Sequence, residues 1–168
     1  KEKELIDKHS HVIFNFNDGD ILIYHDVRKF GKIYYFEKDT DIYANLPLSK
    51  LGLEPMEVND EIYLFEKLKK VNLPIKAALL EQSILAGIGN IYADEVCFAL
   101  ALHPETKVAK LSKKDCERLL QEARRILSDA IKCGGTTIRS YTSSLGVDGR
   151  FQLQLKVHNR KGEACSVC

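Results

Sequence analysis

Two short runs near the start of the chain are rich in β-branched and aromatic residues. They are His11-Val-Ile-Phe-Asn-Phe16 and Ile21-Leu-Ile-Tyr24, and they flank Asn-Asp-Gly-Asp. Such runs around an Asp-Gly pair predict a β-hairpin. Lys32-Ile-Tyr-Tyr-Phe36 predicts a third strand. Residues 45–59 hold two prolines, one glycine and few periodic apolar positions, so they read as a linker. From Asp60 the apolar spacing becomes helical. Ile62, Phe65 and Leu68 mark one helix. Pro74 opens a second, with Ala78, Leu79 and Gln82 following. A third is expected behind Asn90, with Ala93, Val96, Cys97 and Leu100 inward. The longest begins at a capping-type signal, Ser112-x-x-Asp115. It carries Cys116, Leu119, Leu120, Ala123, Leu127 and Ala130, and stops at Gly134-Gly135. Phe151, Leu153, Leu155 and Val157 then alternate with polar residues, which predicts a strand with one buried face.

Composition adds bounds. The 168 residues are 45% apolar and 29% charged, enough for one full domain or two small globular ones. No apolar run approaches the ~20 residues of a membrane span, and the Lys-Glu-Lys-Glu opening is unlike a secretory leader. The expectation is a soluble, cytoplasmic protein without membrane contact. The first residue is not methionine, so the true start is expected upstream. Net charge is only +1, a weak footprint for nucleic acid, but lysines cluster. Lys67, Lys69, Lys70 and Lys76 form one group, Lys107, Lys110, Lys113 and Lys114 another, and Lys156, Arg160 and Lys161 a third. Each group is either a solvated face or a phosphate contact. Among five cysteines, Cys97 and Cys116 fall at apolar helical positions and read as core thiols. Cys165 and Cys168 form a C-x-x-C pair with the spacing of half a zinc knuckle. An odd count without a leader argues for a reducing compartment.

The stretch from Leu79 to Glu95 carries the most functional content. A helical run ends at Gly87 and Gly89, and a second helix starts behind Asn90. That arrangement sets bare backbone N–H groups and a helix N-terminus at one exposed point, which is how a chain builds an anion site. A Cβ at the glycines would hold a phosphate away from the backbone. On its residues alone the stretch is equally a tight turn capped by Asn90.

The string Leu-Leu-Glu-Gln-Ser-Ile-Leu-Ala-Gly-Ile-Gly-Asn-Ile-Tyr-Ala-Asp-Glu resembles the helix-two-turn-helix of formamidopyrimidine-DNA glycosylases, bacterial enzymes that remove oxidised purines from DNA. The resemblance runs from about His9 to Cys168. It implies an α+β protein: the rear part of a β-sandwich domain (1–45), a linker (46–59), a helix-two-turn-helix DNA-binding domain (60–150) and the first half of a C-terminal zinc finger (151–168). The Asp26-Val-Arg-Lys-Phe-Gly31 loop is similar to the family's Asp-Pro-Arg-Arg-Phe-Gly loop. By that resemblance Arg28 reads the orphan base left by base flipping, Phe30 wedges into the stack, and Lys29 meets phosphate. Val27 replaces the usual proline. Unaided, the loop is also an ordinary surface hairpin loop with one aromatic.

The same resemblance makes His9, in Lys8-His9-x-His11, a phosphate-contact candidate. It places Lys70 and Lys76 toward DNA and makes Gly87, Gly89, Asn90 and Tyr92 the phosphate grip. Gly134-Gly-Thr-Thr-Ile-Arg-Ser-Tyr141 resembles the start of the family's lesion-capping loop, with Thr136, Thr137, Arg139 and Tyr141 as its candidates. Cys165 and Cys168 would hold one zinc together with a second C-x-x-C that this sequence lacks. The family's attacking N-terminal proline and its assisting glutamate and lysine have no counterpart here. The chain is therefore read as an inactive fragment of a monomeric bifunctional glycosylase and AP lyase, whose partner is double-stranded DNA with oxidised bases. Two alternatives stay open. One is an endonuclease-VIII-like enzyme for oxidised pyrimidines, and the other is a non-enzymatic helix-two-turn-helix binding module.

Overall fold

The computed structural model describes residues 6–136 and 149–167. The chain separates into two compact units, Lys1–Asp41 and Ile42–Cys168.

In the first unit, β1 (Ser10–Asn15) pairs antiparallel with β2 (Ile21–His25). The turn closes where the Phe16 N–H donates to the Asp20 carbonyl at 2.9 Å, with Gly19 at φ +93°. The third strand expected at 32–36 does not form; that segment joins no ladder, and Tyr35 is 83% exposed. An apolar run becomes a strand only where a neighbour supplies backbone partners.

The second unit is helical. Its helices are α1 (Glu61–Lys69), α2 (Ile75–Leu80), α3 (Asn90–Ala99) and α4 (Lys113–Lys132). Local chemistry fixes their ends. The Asp60 side chain accepts the Ile62 N–H and starts α1. Ser112 and Asp115 close a capping box at α4, and the Ser112 hydroxyl and N–H hold the Asp115 carboxyl below its ordinary value. At the other end of α4, the Gly135 N–H reaches the Ala130 carbonyl and the Gly134 N–H the Ile131 carbonyl. Both glycines have positive φ. This is a Schellman stop, as the glycine pair implied.

The core joins Leu64 and Leu68 of α1, Ile75 and Leu79 of α2, Val96 and Cys97 of α3, and Leu119, Leu120 and Ala123 of α4, all nearly inaccessible. Residues 46–59, expected as a linker, are bonded into this unit. The Gly52 N–H donates to the Gln82 carbonyl, the Leu53 carbonyl accepts from Ala86 N–H, and Arg124 of α4 donates to the carbonyls of Pro55 and Val58.

The strand expected from Phe151 to Val157 is instead a 3₁₀ turn over Phe151–Gln154 followed by irregular chain. Phe151 is buried, but Leu153 is 83% exposed, so the alternation marks no buried face. The backbone beyond it finds its acceptor on a side chain. Glu95 of α3 takes the N–H groups of Lys156, Val157 and His158 at 2.8, 3.0 and 3.0 Å. No helix among the described residues is long and apolar enough to cross a membrane.

Candidate nucleic-acid interface

The glycine turn lies between α2 and α3. Helix α2 ends at Leu80, two residues short of Gln82. The freed Gln82 side chain braces the turn. Its amide nitrogen donates to the carbonyls of Leu80 and Ile88, and its amide oxygen accepts the Gly87 N–H at 2.9 Å. Ile84, Leu85, Ala86 and Ile88 are buried beneath, while Gly87, Gly89 and Asn90 stay exposed. Gly87 sits at φ +85°, a left-handed conformation that favours glycine.

Asn90 does not cap α3. Gly89 is the N-cap residue and Asn90 is the first helical one. The reason is geometric: Gly89 is extended, its carbonyl already accepts the Ala93 N–H at 2.9 Å, and no side chain caps this end. The N–H groups of Asn90, Ile91 and Tyr92 precede the first i−4 acceptor and form the open mouth of the helix. Positive dipole charge and exposed donors coincide there, with no carboxylate in the first turn.

Lys76 of α2 is tied to this end. Its ammonium lies 2.5 Å from Asp94 Oδ1, and His158 Nδ1 lies 3.3 Å from Asp94 Oδ2. Tyr92 is half-buried, with its ring 6.0 Å from that of Phe151 and its hydroxyl 3.2 Å from Thr136 Oγ1. The candidate phosphate grip and the start of the candidate lesion loop therefore touch. Lys70 lies exposed just past α1, and no hydrogen bond or ion pair among the described side chains joins it to this cluster.

The Asp26–Gly31 loop of the first unit is organised around one carboxylate. Asp26 Oδ1 accepts the N–H groups of Arg28 and Lys29, both at 2.9 Å. Oδ2 accepts the Gly31 N–H at 2.8 Å and the Tyr24 hydroxyl at 3.0 Å. The Gly31 bond, then those from Tyr24, Arg28 and Lys29, outweigh desolvation and pull the Asp26 carboxyl down to about 2. Lys29 is held at φ +57°. Gly31 cannot carry a side chain, because a Cβ there would fall 1.3 Å from the Tyr24 oxygen. This frame presents Phe30, 72% exposed, with the Arg28 guanidinium 4.6 Å from its ring centre. His9 is half-buried beside the hairpin. Its N–H donates to Asp7 and its ring lies 5.7 Å from that of His25.

Thr137, Arg139, Tyr141 and Cys168 lie outside the described residues. Cys165 is exposed, and no group of three or more His, Cys, Asp or Glu side chains suited to a metal gathers among the described residues. Cys97 and Cys116 are the core thiols their positions implied, and burial pushes each up to about 11. Sequence reasoning passed over Gln82, Asp26 as organiser, Glu95, and the Asp94–His158 contact. The available signal was a charged residue among the inward positions Ala93, Val96 and Cys97.

Known proteins resemble this chain. The family described as the formamidopyrimidine-DNA glycosylase H2TH domain matches residues 51–142. The formamidopyrimidine-DNA glycosylase of Bacillus subtilis is 47% identical over 96% of the chain, and that of Bacillus cereus 45% identical over all of it. The chain spans 59% and 61% of those relatives' lengths. The crystal structure of MutM (Fpg) from Thermus thermophilus superposes with a TM-score of 0.85 at 34% identity, covering 97% of this chain and 62% of that one. Lactococcus lactis Fpg bound to DNA containing an abasic site superposes with a TM-score of 0.83 at 41% identity, covering 97% and 59%. The mixed architecture of helices and a small sheet is the one those solved proteins have.

Proposed function

Since the chain belongs to the formamidopyrimidine-DNA glycosylase H2TH family, we propose that it forms the DNA-holding part of a base-excision repair glycosylase. The uncapped N-terminus of α3 behind Gly87 and Gly89 carries this reading. Its open N–H groups, with Asn90 and the Lys76 ammonium, grip a backbone phosphate of double-stranded DNA. His9, Lys29 and Lys70 add sequence-independent phosphate contacts. Arg28 pairs with the base left behind when the damaged nucleotide is flipped, and Phe30 fills the step. The loop entered at Thr136 closes over the damaged base, with Thr137, Arg139 and Tyr141 among its residues.

The whole enzyme removes oxidised purines and cleaves the strand at the resulting abasic site. The hairpin belongs to its β-sandwich domain. No residue of this chain is assigned to the attack on the sugar; its own residues bind, orient and expose. Zinc, by the same proposal, is held by Cys165 and Cys168 in a C-terminal finger. The described side chains do not make a closed four-ligand shell, so no part of the DNA-binding account runs through the metal.

The test is salt-dependent binding to a duplex. Lys76→Ala should lower the log–log salt slope by roughly 0.9, the loss of one phosphate contact. Asn90→Ala should weaken binding at every salt concentration. Unchanged affinity and slope in both variants would overturn the phosphate assignment.

A further inference from the structure

A second charged layer lies one turn below the open end of α3. Asp94 follows Asn90 by four residues, about 6 Å along the helix axis. Its two carboxylate oxygens are divided: Oδ1 takes the Lys76 ammonium at 2.5 Å and Oδ2 lies 3.3 Å from His158 Nδ1. The three side chains come from α2, α3 and the segment that Glu95 clamps. They are 34%, 24% and 23% exposed, so solvent screens them only in part.

The other charged and titratable groups around His158 are bonded elsewhere or lie exposed. The Glu95 carboxylate accepts the His158 backbone N–H and two more. The Cys97 thiol is buried and held protonated. Arg160 is paired with Glu163 at 2.7 Å, and Lys156 is exposed, with its backbone N–H, not its ammonium, on Glu95. His103 lines the same groove as Asp94, but its Nδ1 accepts the Glu105 N–H. Histidine is the side chain whose charge changes between about pH 5 and 8, and of these groups His158 alone meets Asp94 directly.

We propose that His158 is a positioning residue for the phosphate site, acting through Asp94 on Lys76, an inference that rests on the DNA-binding reading above. With His158 neutral, Lys76 and Asp94 cancel, and the ammonium is tied to a carboxylate. When His158 takes a proton from solvent, the cluster carries one net positive charge. Asp94 is then shared between two cations, and Lys76 keeps its remaining hydrogens for a phosphate at the mouth of α3. By linkage, phosphate binding and protonation of His158 favour each other. DNA affinity therefore contains a component that rises as pH falls.

Binding of a fluorescent DNA duplex would be measured at about pH 8 and about pH 6, where histidine changes charge. The wild-type chain, His158→Gln and Asp94→Asn would be compared, with circular dichroism at both pH values reporting the fold. Wild type should gain about fivefold more affinity on acidification than His158→Gln, the scale of one added charge at partly screened range. Asp94→Asn, which releases Lys76 at every pH, should bind more tightly than wild type at the higher pH and show the same flattened profile. A merely structural contact would weaken both variants equally at both pH values, and that result overturns the inference. So does an equal pH response in wild type and His158→Gln, while leaving DNA binding itself intact. Failure of the wild-type chain to bind at all would overturn the proposed function and this inference with it.

Discussion

The Asp26 loop and the α3 glycine turn both gather backbone N–H groups around one point, and they differ in what stands at that point. In the loop it is the chain's own carboxylate, which accepts four donors and holds Lys29 at positive φ. At the turn no described side chain fills it: none caps α3, and Asn90, its first residue, is exposed. Glu95 repeats the filled arrangement inside the helical unit, with three N–H groups on one buried carboxylate. A concave set of donors that contains its own anion is scaffold; the same set left empty is a place for someone else's anion. The filled sites shape what is presented, Phe30 and Arg28 in one case and His158 in the other, and the open site is the one the proposed function assigns to holding phosphate.

The comparison breaks first at Glu95. Glu95→Ala strands three backbone donors and should cost about 3 kcal/mol of stability in urea unfolding; a loss within experimental error would mean that this filled site supports nothing. Gly87→Ala should cost about 1 kcal/mol, because a Cβ must enter the left-handed region at φ +85°, and the same measurement checks it. Asp26 supplies a pH test. Its folded value is depressed from 3.8 to about 2, so its contribution is complete above the unfolded value and is lost as pH falls through the folded one. The amide resonances of Arg28, Lys29 and Gly31 should hold still from neutral pH down to about 4 and move together between about 4 and 2. Movement centred near the ordinary carboxyl value would show that the loop is not organised by Asp26.

What was legible in the sequence was local. Asp60 and the Ser112–Asp115 box act within three residues, the Gly134–Gly135 stop within six, and the glycine turn announces itself in one string. The apolar run at 32–36 and the alternation at 151–157 were not enough, because a strand is defined by a partner elsewhere in the chain. The contacts that complete the site are also distant. Glu95 meets backbone 61 to 63 residues away, His158 meets Asp94 across 64, and Tyr92 meets Thr136 across 44. Gln82 looked helical by period, yet it is more useful outside the helix, where its amide satisfies the turn. Resemblance supplied roles for Arg28 and Phe30, while only the structure shows the carboxylate that presents them.

The central claim is that bare backbone at the start of α3 binds phosphate, and Asn90→Pro tests it most directly. Proline is tolerated at the first helical position, where its missing N–H has no intrahelical acceptor, and the residue before it must be extended. Gly89 already is, at φ −101° and ψ 179°. The substitution therefore removes one open donor and leaves the helix in place. The account predicts an unfolding midpoint like that of Asn90→Ala and DNA binding roughly tenfold weaker than that of Asn90→Ala, the scale of one lost charge-assisted hydrogen bond. Equal DNA affinity in the proline and alanine variants, with both folded, would contradict it.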